Sequence, residues 1–428
     1  MKEILIPGAN EKLYLYKLDN GLQVYMVPNN KTKNFYITLS TKFGSIDTKF
    51  EYKGHKYDMP KGIAHYLEHL MFNMPDGSAH DVFSKLGASS NAFTSYDVTC
   101  YEVFANNKFK ECLEYLIDYV YTPYFTKDNV ANERGIITEE IKMYEDSPGS
   151  TLINGLLQNI FVSDERRYLV SGTVSDVKKI TKEDIDLCYE AFYHPENMFM
   201  IITGDFDPSM AVSIIIEEMK KKKFKEFVKP TLLRRKEPFK IVTDYSEKEM
   251  DLEKNKVAVG FKIPKSSFRS LKLSDSEALL YINLFTRVMF GSTSFLKEEL
   301  QTSGVITGGI SMNLTETSDY FVQVLASSTE FPDYFIKRVK ETFALRDVTE
   351  DDVRRKVNVS VSNFIMLFDE IEAVNNQIQD DVINYGDYIY DIFNVYKSLN
   401  LETLIKVMDK LDKVLVSVFV LKPKKEEE

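Results

Sequence analysis

Cysteine is scarce: Cys100, Cys112 and Cys188 are the only three in 428 residues, an odd number without CxxC spacing. A disulfide framework and a Cys-based zinc knuckle are both excluded, and the three thiols are expected to be buried as small hydrophobes. Histidine is nearly as rare, with five copies. A surplus of basic charge is also missing. Lys and Arg number 54 against 65 Asp and Glu, a formal net charge of -11, which argues against a nucleic-acid partner and against a polybasic membrane-surface protein. No stretch approaches the about 18 uncharged apolar residues of a membrane span. The apolar run in Met1-Lys2-Glu3-Ile4-Leu5-Ile6-Pro7-Gly8 is too short for a secretory signal, so the expectation is a cytoplasmic enzyme. What the chain does have is 44 % hydrophobic residues, enough for roughly two to three domains with sizeable cores.

The pattern along the chain mixes strands and helices. Leu13 to Leu18 and Leu22 to Val27 flank Asp19-Asn20-Gly21, a hairpin signal, and Phe35 to Thr41 reads as a further strand. A helix is expected after Gly62, a strand region over Thr94 to Phe104, and a helix near Lys108 to Tyr121. Residues 223–238 are basic and irregular and read as a linker. Beyond them the themes return: a strand over Lys256 to Ile263, a helix over Ser274 to Phe290 and a strand pair over Gly309 to Ser327. The expected class is α+β, with two similar domains at 1–222 and 239–428, each a mixed or antiparallel sheet with helices packed on one face. The charged tail from Lys422 is expected to fray.

His65-Tyr66-Leu67-Glu68-His69 is the decisive string. Positions i, i+3 and i+4 lie on one helical face. Two imidazoles one turn apart can ligate one zinc ion, which lowers the pKa of a water to about 7 and brings its proton within reach of a neighbouring carboxylate. With only five His in the chain, an accidental HxxEH on an ordinary amphipathic helix is a poor explanation, and the string is a known inverted zinc-peptidase motif. His55, His80 and His194 have no comparable setting and are expected to be loop or structural residues. A catalytic zinc site needs a third protein ligand. The helical stretch Asn132 to Asp146, closed by Ser147-Pro148-Gly149, offers candidates. Glu133 and Glu140 share a face, and Glu139 is turned about 100° away. Spacing alone does not choose between Glu139 and Glu140.

Gly62-Ile63-Ala64 followed by the motif, then Asn91-Ala92-Phe93-Thr94, then Glu133-Arg134-Gly135 through Glu140, resemble the pitrilysin or insulinase family of zinc peptidases, which includes the mitochondrial processing peptidase. Tyr193-His194-Pro195-Glu196-Asn197-Met198 and Thr203-Gly204-Asp205 resemble it too. Among bacterial branches the chain is most similar to the YmfH-type proteins. The resemblance implies half of a clamshell, one Zn²⁺ held by His65, His69 and Glu140, Glu68 as general base, and Glu133 as a supporting carboxylate of the catalytic site. It implies that Asn91, Ala92, Phe93 and Thr94 form a sheet edge that binds a peptide substrate as an added strand.

The resemblance has one gap. Active members present an Arg and, beyond a Gly, a Tyr from the second domain. Here Leu300 or Gln301 stands at the Arg position and Thr307 at the Tyr position. The expectation is therefore a zinc endopeptidase whose partner is a related subunit lacking HxxEH that supplies Arg and Tyr, or a second copy in a homodimer. The alternative is a non-catalytic zinc-containing subunit for peptide binding or assembly.

Overall fold

A computed structural model describes residues 1–424. The chain folds into two compact units, and they do not divide the sequence linearly. The first comprises Met1–Lys142, Leu169–Arg234 and Phe364–Asp391; the second comprises Met143–Tyr168, Arg235–Asn363 and the residues from Ile392 onward. The passage from Arg234 to Arg235 falls inside the basic stretch at 223–238. The segments 143–168 and 364–391 are the departure from the expected division at 222 and 239, because each lies in the unit built mainly by the other half of the sequence.

The first unit is organised on a seven-stranded sheet in the order Lys2–Ile6, Glu11–Lys17, Gln23–Pro28, Met198–Gly204, Phe35–Thr41, Thr99–Ala105 and Ser89–Thr94. Its pairs are antiparallel except Met198–Gly204 beside Gln23–Pro28, so the sheet is mixed. The Asn20-Gly21 turn forms as its composition demands: Gly21 takes φ 92° and Leu22 N–H donates to Asn20 Oδ1 at 3.2 Å. The strand region expected over Thr94 to Phe104 is instead the second half of a hairpin, which turns between Ser95 and Val98.

All seven residues of Phe35–Thr41 and of Met198–Gly204 are buried. A strand buried throughout needs cover on both faces. Phe35, Ile37 and Leu39 enter the main core with Leu67, Leu70 and Leu116. Thr38 and Ser40 point the other way and hydrogen-bond Asn375 and Gln379 at 2.8 Å each. Those two residues lie on the helix Ile371–Tyr385, so helices cover both faces of this sheet, not one.

The second unit repeats the plan. Its five-stranded sheet runs Tyr245–Met250, Leu415–Pro423, Asn255–Pro264, Tyr320–Thr329 and Ser311–Glu316. Val257, Val259 and Phe261 join a core with Ile282 and Phe285 of the helix Asp275–Met289. Ser274 and Glu277 close a capping box at that helix's start. The opposite face is covered by Pro148–Ile160, where a Cβ at Gly155 would stand 2.4 Å from the Phe419 ring, so only glycine lets helix and sheet approach. Ser147 and Pro148, expected to close a helix, also open this one: the preceding helix ends at Asp146, and Pro148 sits in the first turn of the next. The tail expected to fray from Lys422 stays in strand to Pro423, and its last residues, 425–428, lie outside the described range.

The basic stretch is anchored rather than loose. Thr231–Leu232 pairs with Lys49–Tyr52, and Arg234 meets Asp47 at 2.6 Å. Within the second unit, Glu237 is buried against Lys262. Cys100, Cys112 and Cys188 are free and buried. No helix among the described residues is long and apolar enough to cross a membrane.

Candidate metal centre

The helix Ile63–Met71 begins at Gly62, whose φ of 83° a side chain rarely adopts. A Cβ there would also stand 2.2 Å from the Ser171 carbonyl oxygen. This close crossing fixes where the helix starts and therefore where His65, Glu68 and His69 point. Ile63, Ala64, Leu67, Leu70 and Met71 are buried on the core side. Tyr66 is fully buried as well, and its hydroxyl donates to the Val130 carbonyl on the helix Lys127–Asp146. That bond ties the two helices together.

Across this contact the Nε2 atoms of both imidazoles meet Glu140. His65 Nε2 lies 3.5 Å from Glu140 Oε1 and His69 Nε2 3.2 Å from Glu140 Oε2. Donor atoms of His65, His69 and Glu140 all fall within 4.8 Å of one another. Zinc bonds of about 2.0–2.1 Å place tetrahedral ligand atoms roughly 3.3 Å apart, so the spacing suits that ion. The charge balance suits it as well: Glu68, Glu133 and Glu140 converge on two imidazoles, and a divalent cation would offset the excess negative charge. Glu139 faces solvent and pairs with Lys142 at 2.7 Å. Of the two carboxylates that spacing leaves open, Glu140 is the one that faces both imidazoles.

His69 Nδ1–H donates to Glu133 Oε1 at 2.9 Å. A carboxylate on the far nitrogen sets the tautomer that directs Nε2 outward and strengthens it as a ligand. Burial opposes charge on His69, but the hydrogen bonds to Glu133 and Glu140 outweigh it and raise its pKa from 6.5 to about 10. Hydrogen bonds from His65 and His69 hold the Glu140 carboxyl well below the usual carboxylate range. Glu68 is 7 % exposed. Burial pushes its pKa up, while His65, His69 and Thr94 pull the other way. Its buried carboxylate accepts a hydrogen bond from Thr94 Oγ1 at 2.8 Å. His65 Nδ1 is buried and has no hydrogen-bond partner among the described residues.

Asn91, Ala92, Phe93 and Thr94 lie in Ser89–Thr94, the last strand of its sheet, which pairs on one side only among the described residues. Thr94 does more than border this edge, since it also orients Glu68. Tyr66 was not singled out by sequence reasoning; asking where a buried phenol inside the motif finds its partner would have found it. His55 is exposed, His80 stacks on Phe72 and bonds Ser90, and His194 accepts from Glu196 N–H, all apart from the metal cluster. In the second unit, Leu300 is a core residue, Gln301 donates to the Gly308 carbonyl, and Thr307 is exposed.

The sequence matches the family described as Insulinase (Peptidase family M16) over residues 51–170 and the Peptidase M16 inactive domain over residues 179–359. It is 32 % identical over 416 residues, 96 % of each chain, to the Bacillus subtilis protein named as the uncharacterized zinc protease YmfH. The crystal structure of an M16-like protein from Alicyclobacillus acidocaldarius superposes with a TM-score of 0.90 at 26 % identity, covering 97 % of this chain and 99 % of that one. A protease from Helicobacter pylori shares the fold, with a TM-score of 0.81 at 21 % identity over 96 % of this chain and all of that one. With an inverted zinc motif on one helix, its third donor on another and similarity to a zinc protease along nearly the whole length, this chain belongs to the insulinase family of peptidases, M16.

Proposed function

We propose that this protein is a zinc-dependent endopeptidase that cleaves peptides or short unfolded segments. The observation that carries the reading is the buried Glu68 carboxylate, held by Thr94 beside the cluster of His65, His69 and Glu140. Bound zinc supplies Lewis acidity, which lowers the pKa of a water to about 7 and polarises a carbonyl. Glu68 accepts the proton of the attacking water and passes it to the leaving amine nitrogen. Thr94 keeps the carboxylate in one rotamer, and Glu133 keeps the His69 ring in one tautomer. The unpaired side of Ser89–Thr94 offers main-chain donors and acceptors to an extended peptide, which supports a substrate of low sequence preference.

The reading includes a related partner chain, or a second copy, that supplies an Arg and a Tyr to the substrate carbonyl. It rests on Leu300, Gln301 and Thr307, none of which offers a cation or a phenol. The non-catalytic alternative gives Glu68 no task, and a purely structural zinc site is usually closed by four protein ligands. The domain described as inactive matches 179–359, which contains none of His65, Glu68, His69 and Glu140.

Hydrolysis of a quenched peptide after zinc stripping and readdition tests the proposal. Activity should vanish with the metal and return with it; hydrolysis that survives complete stripping overturns it. Adding a partner that carries the Arg and Tyr should raise the rate by roughly 10² to 10³, the worth of a missing oxyanion donor. Full activity of the isolated chain at high dilution removes the partner from the account.

A further inference from the structure

The second unit holds a cleft of about 700 Å³, within the usual size of small-ligand sites. It is lined by the end of the helix Asp275–Met289, the turn before Phe295–Thr302, and the helix Glu350–Leu367. In a chain of net charge -11 this lining is cationic: it includes Arg287, Lys297, Arg355 and Lys356 and no acidic residue. Arg355 is neutralised by Asp351 and Asp352. The hydrogen bonds of the other three go to neutral oxygens. Arg287 donates to Ser360 Oγ at 3.1 Å, Lys297 to the Ser292 carbonyl at 3.3 Å, and Lys356 to Thr293 Oγ1 at 2.9 Å.

Burial and then repulsion from Arg287 and Arg355 lower the Lys356 pKa from its ordinary value, with Asp352 offsetting part of the effect. Like charges gathered this way are stabilised when an anion arrives. Beside them the wall is apolar, with Phe290, Ile310 and Met312. A fitting ligand therefore joins an anionic group to an apolar body. The cleft also brackets the stretch that lacks the expected Arg and Tyr: Lys297 precedes Leu300, and Gly309 and Ile310 follow Thr307.

We propose that this cleft binds a carboxylate of the peptide substrate, either its C-terminus or an acidic side chain, through Lys297 and Lys356 with Arg287 beside them. The choice of a peptide as ligand rests on the peptidase reading. The charge pattern that calls for an anion does not.

The test uses the full chain carrying Glu68→Gln, so that peptide is not consumed, and follows the anisotropy of an N-terminally labelled peptide. One sequence is compared with a free C-terminus, as the amide, and as the amide with an Asp near its end. Amidation should weaken binding by about tenfold, the loss of one charge-assisted contact. Recovery by the Asp form identifies an acidic side chain as sufficient; no recovery identifies the C-terminus. The double variant Lys297→Gln, Lys356→Gln should narrow the difference to less than about twofold, while Lys297→Arg, Lys356→Arg should keep it. Equal binding of all forms by the parent overturns the proposal, as does discrimination that the Gln pair retains while the protein remains folded by circular dichroism. Should the Gln pair unfold, Lys356→Gln alone decides by the same comparison. Hydrolysis of the same peptides by the unsubstituted chain separates the two readings. Cleavage without discrimination removes the cleft and keeps the peptidase; discrimination without cleavage does the reverse.

Discussion

In both units five strands lie side by side in the same arrangement. Gln23–Pro28, Met198–Gly204, Phe35–Thr41, Thr99–Ala105 and Ser89–Thr94 match Tyr245–Met250, Leu415–Pro423, Asn255–Pro264, Tyr320–Thr329 and Ser311–Glu316, with one parallel pair followed by antiparallel ones in each. The first α-helix after the third of these strands is Ile63–Met71 in one unit and Asp275–Met289 in the other. One carries His65, Glu68 and His69; the other buries Tyr281, Ile282, Leu284 and Phe285. Two buried charged places, one in each unit, are also treated differently. Lys262 is fully buried, yet it reaches Glu237 and the carbonyls of Ile160, Pro238 and Lys240, while Glu237 accepts from three backbone N–H groups. Glu68 is held by the single side chain of Thr94, and His65 Nδ1 by nothing among the described residues. Saturated buried charge is architecture, whereas buried charge left short of partners marks a place built for something else to bind. A shared fold therefore says little about which unit does chemistry, and the partner count of its polar groups says much more.

This contrast can be broken from either side. Lys262→Met should show the largest effect, because it strands Glu237 in the interior. Removing one member of a buried pair costs about 3–5 kcal/mol, read as a lower midpoint in denaturant unfolding. A loss below about 1 kcal/mol would make the second unit's pair no more structural than a surface one. Glu133→Gln should lower zinc affinity by about 10- to 100-fold through the His69 ring, measured by chelator competition, and Glu139→Gln should leave it unchanged. Equal effects from the two would erase the distinction between facing the site and facing solvent. The smallest effect is expected from Thr38→Val, which removes a buried hydroxyl paired with Asn375 and should cost about 1 kcal/mol in unfolding. No cost would mean that the Thr38–Asn375 bond adds nothing net to holding Ile371–Tyr385 on its sheet, where the Ser40–Gln379 bond remains.

The metal cluster was legible because helical spacing carries it. His65, Glu68 and His69 are local, and Glu133 and Glu140 differ by two turns of one helix. The choice of Glu140 over Glu139 needed either the family pattern or the orientation of that helix against Ile63–Met71, which the Tyr66 bond to Val130 helps set. The strands and the long helix of the second half were legible because their apolar patterns are local as well. The exchanged helices were not. Thr38 and Ser40 alternate with apolar residues and read as the solvent side of a half-covered strand, yet their hydroxyls meet Asn375 and Gln379 from more than 300 residues away. Polar residues that pair in the interior look the same in sequence as polar residues in water. The cationic cleft was illegible for a related reason, since Arg287, Lys297 and Lys356 come from separate helices and each alone resembles a solvated charge.

The measurement that bears most directly on the central claim is peptide hydrolysis by Glu68→Gln, with zinc content and the circular dichroism spectrum recorded on the same sample. Gln keeps the shape of the side chain and removes its basicity without touching His65, His69 or Glu140. The expected result is unchanged zinc, an unchanged fold and a rate lower by about 10² to 10⁴. Undiminished hydrolysis by the zinc-loaded variant would contradict it.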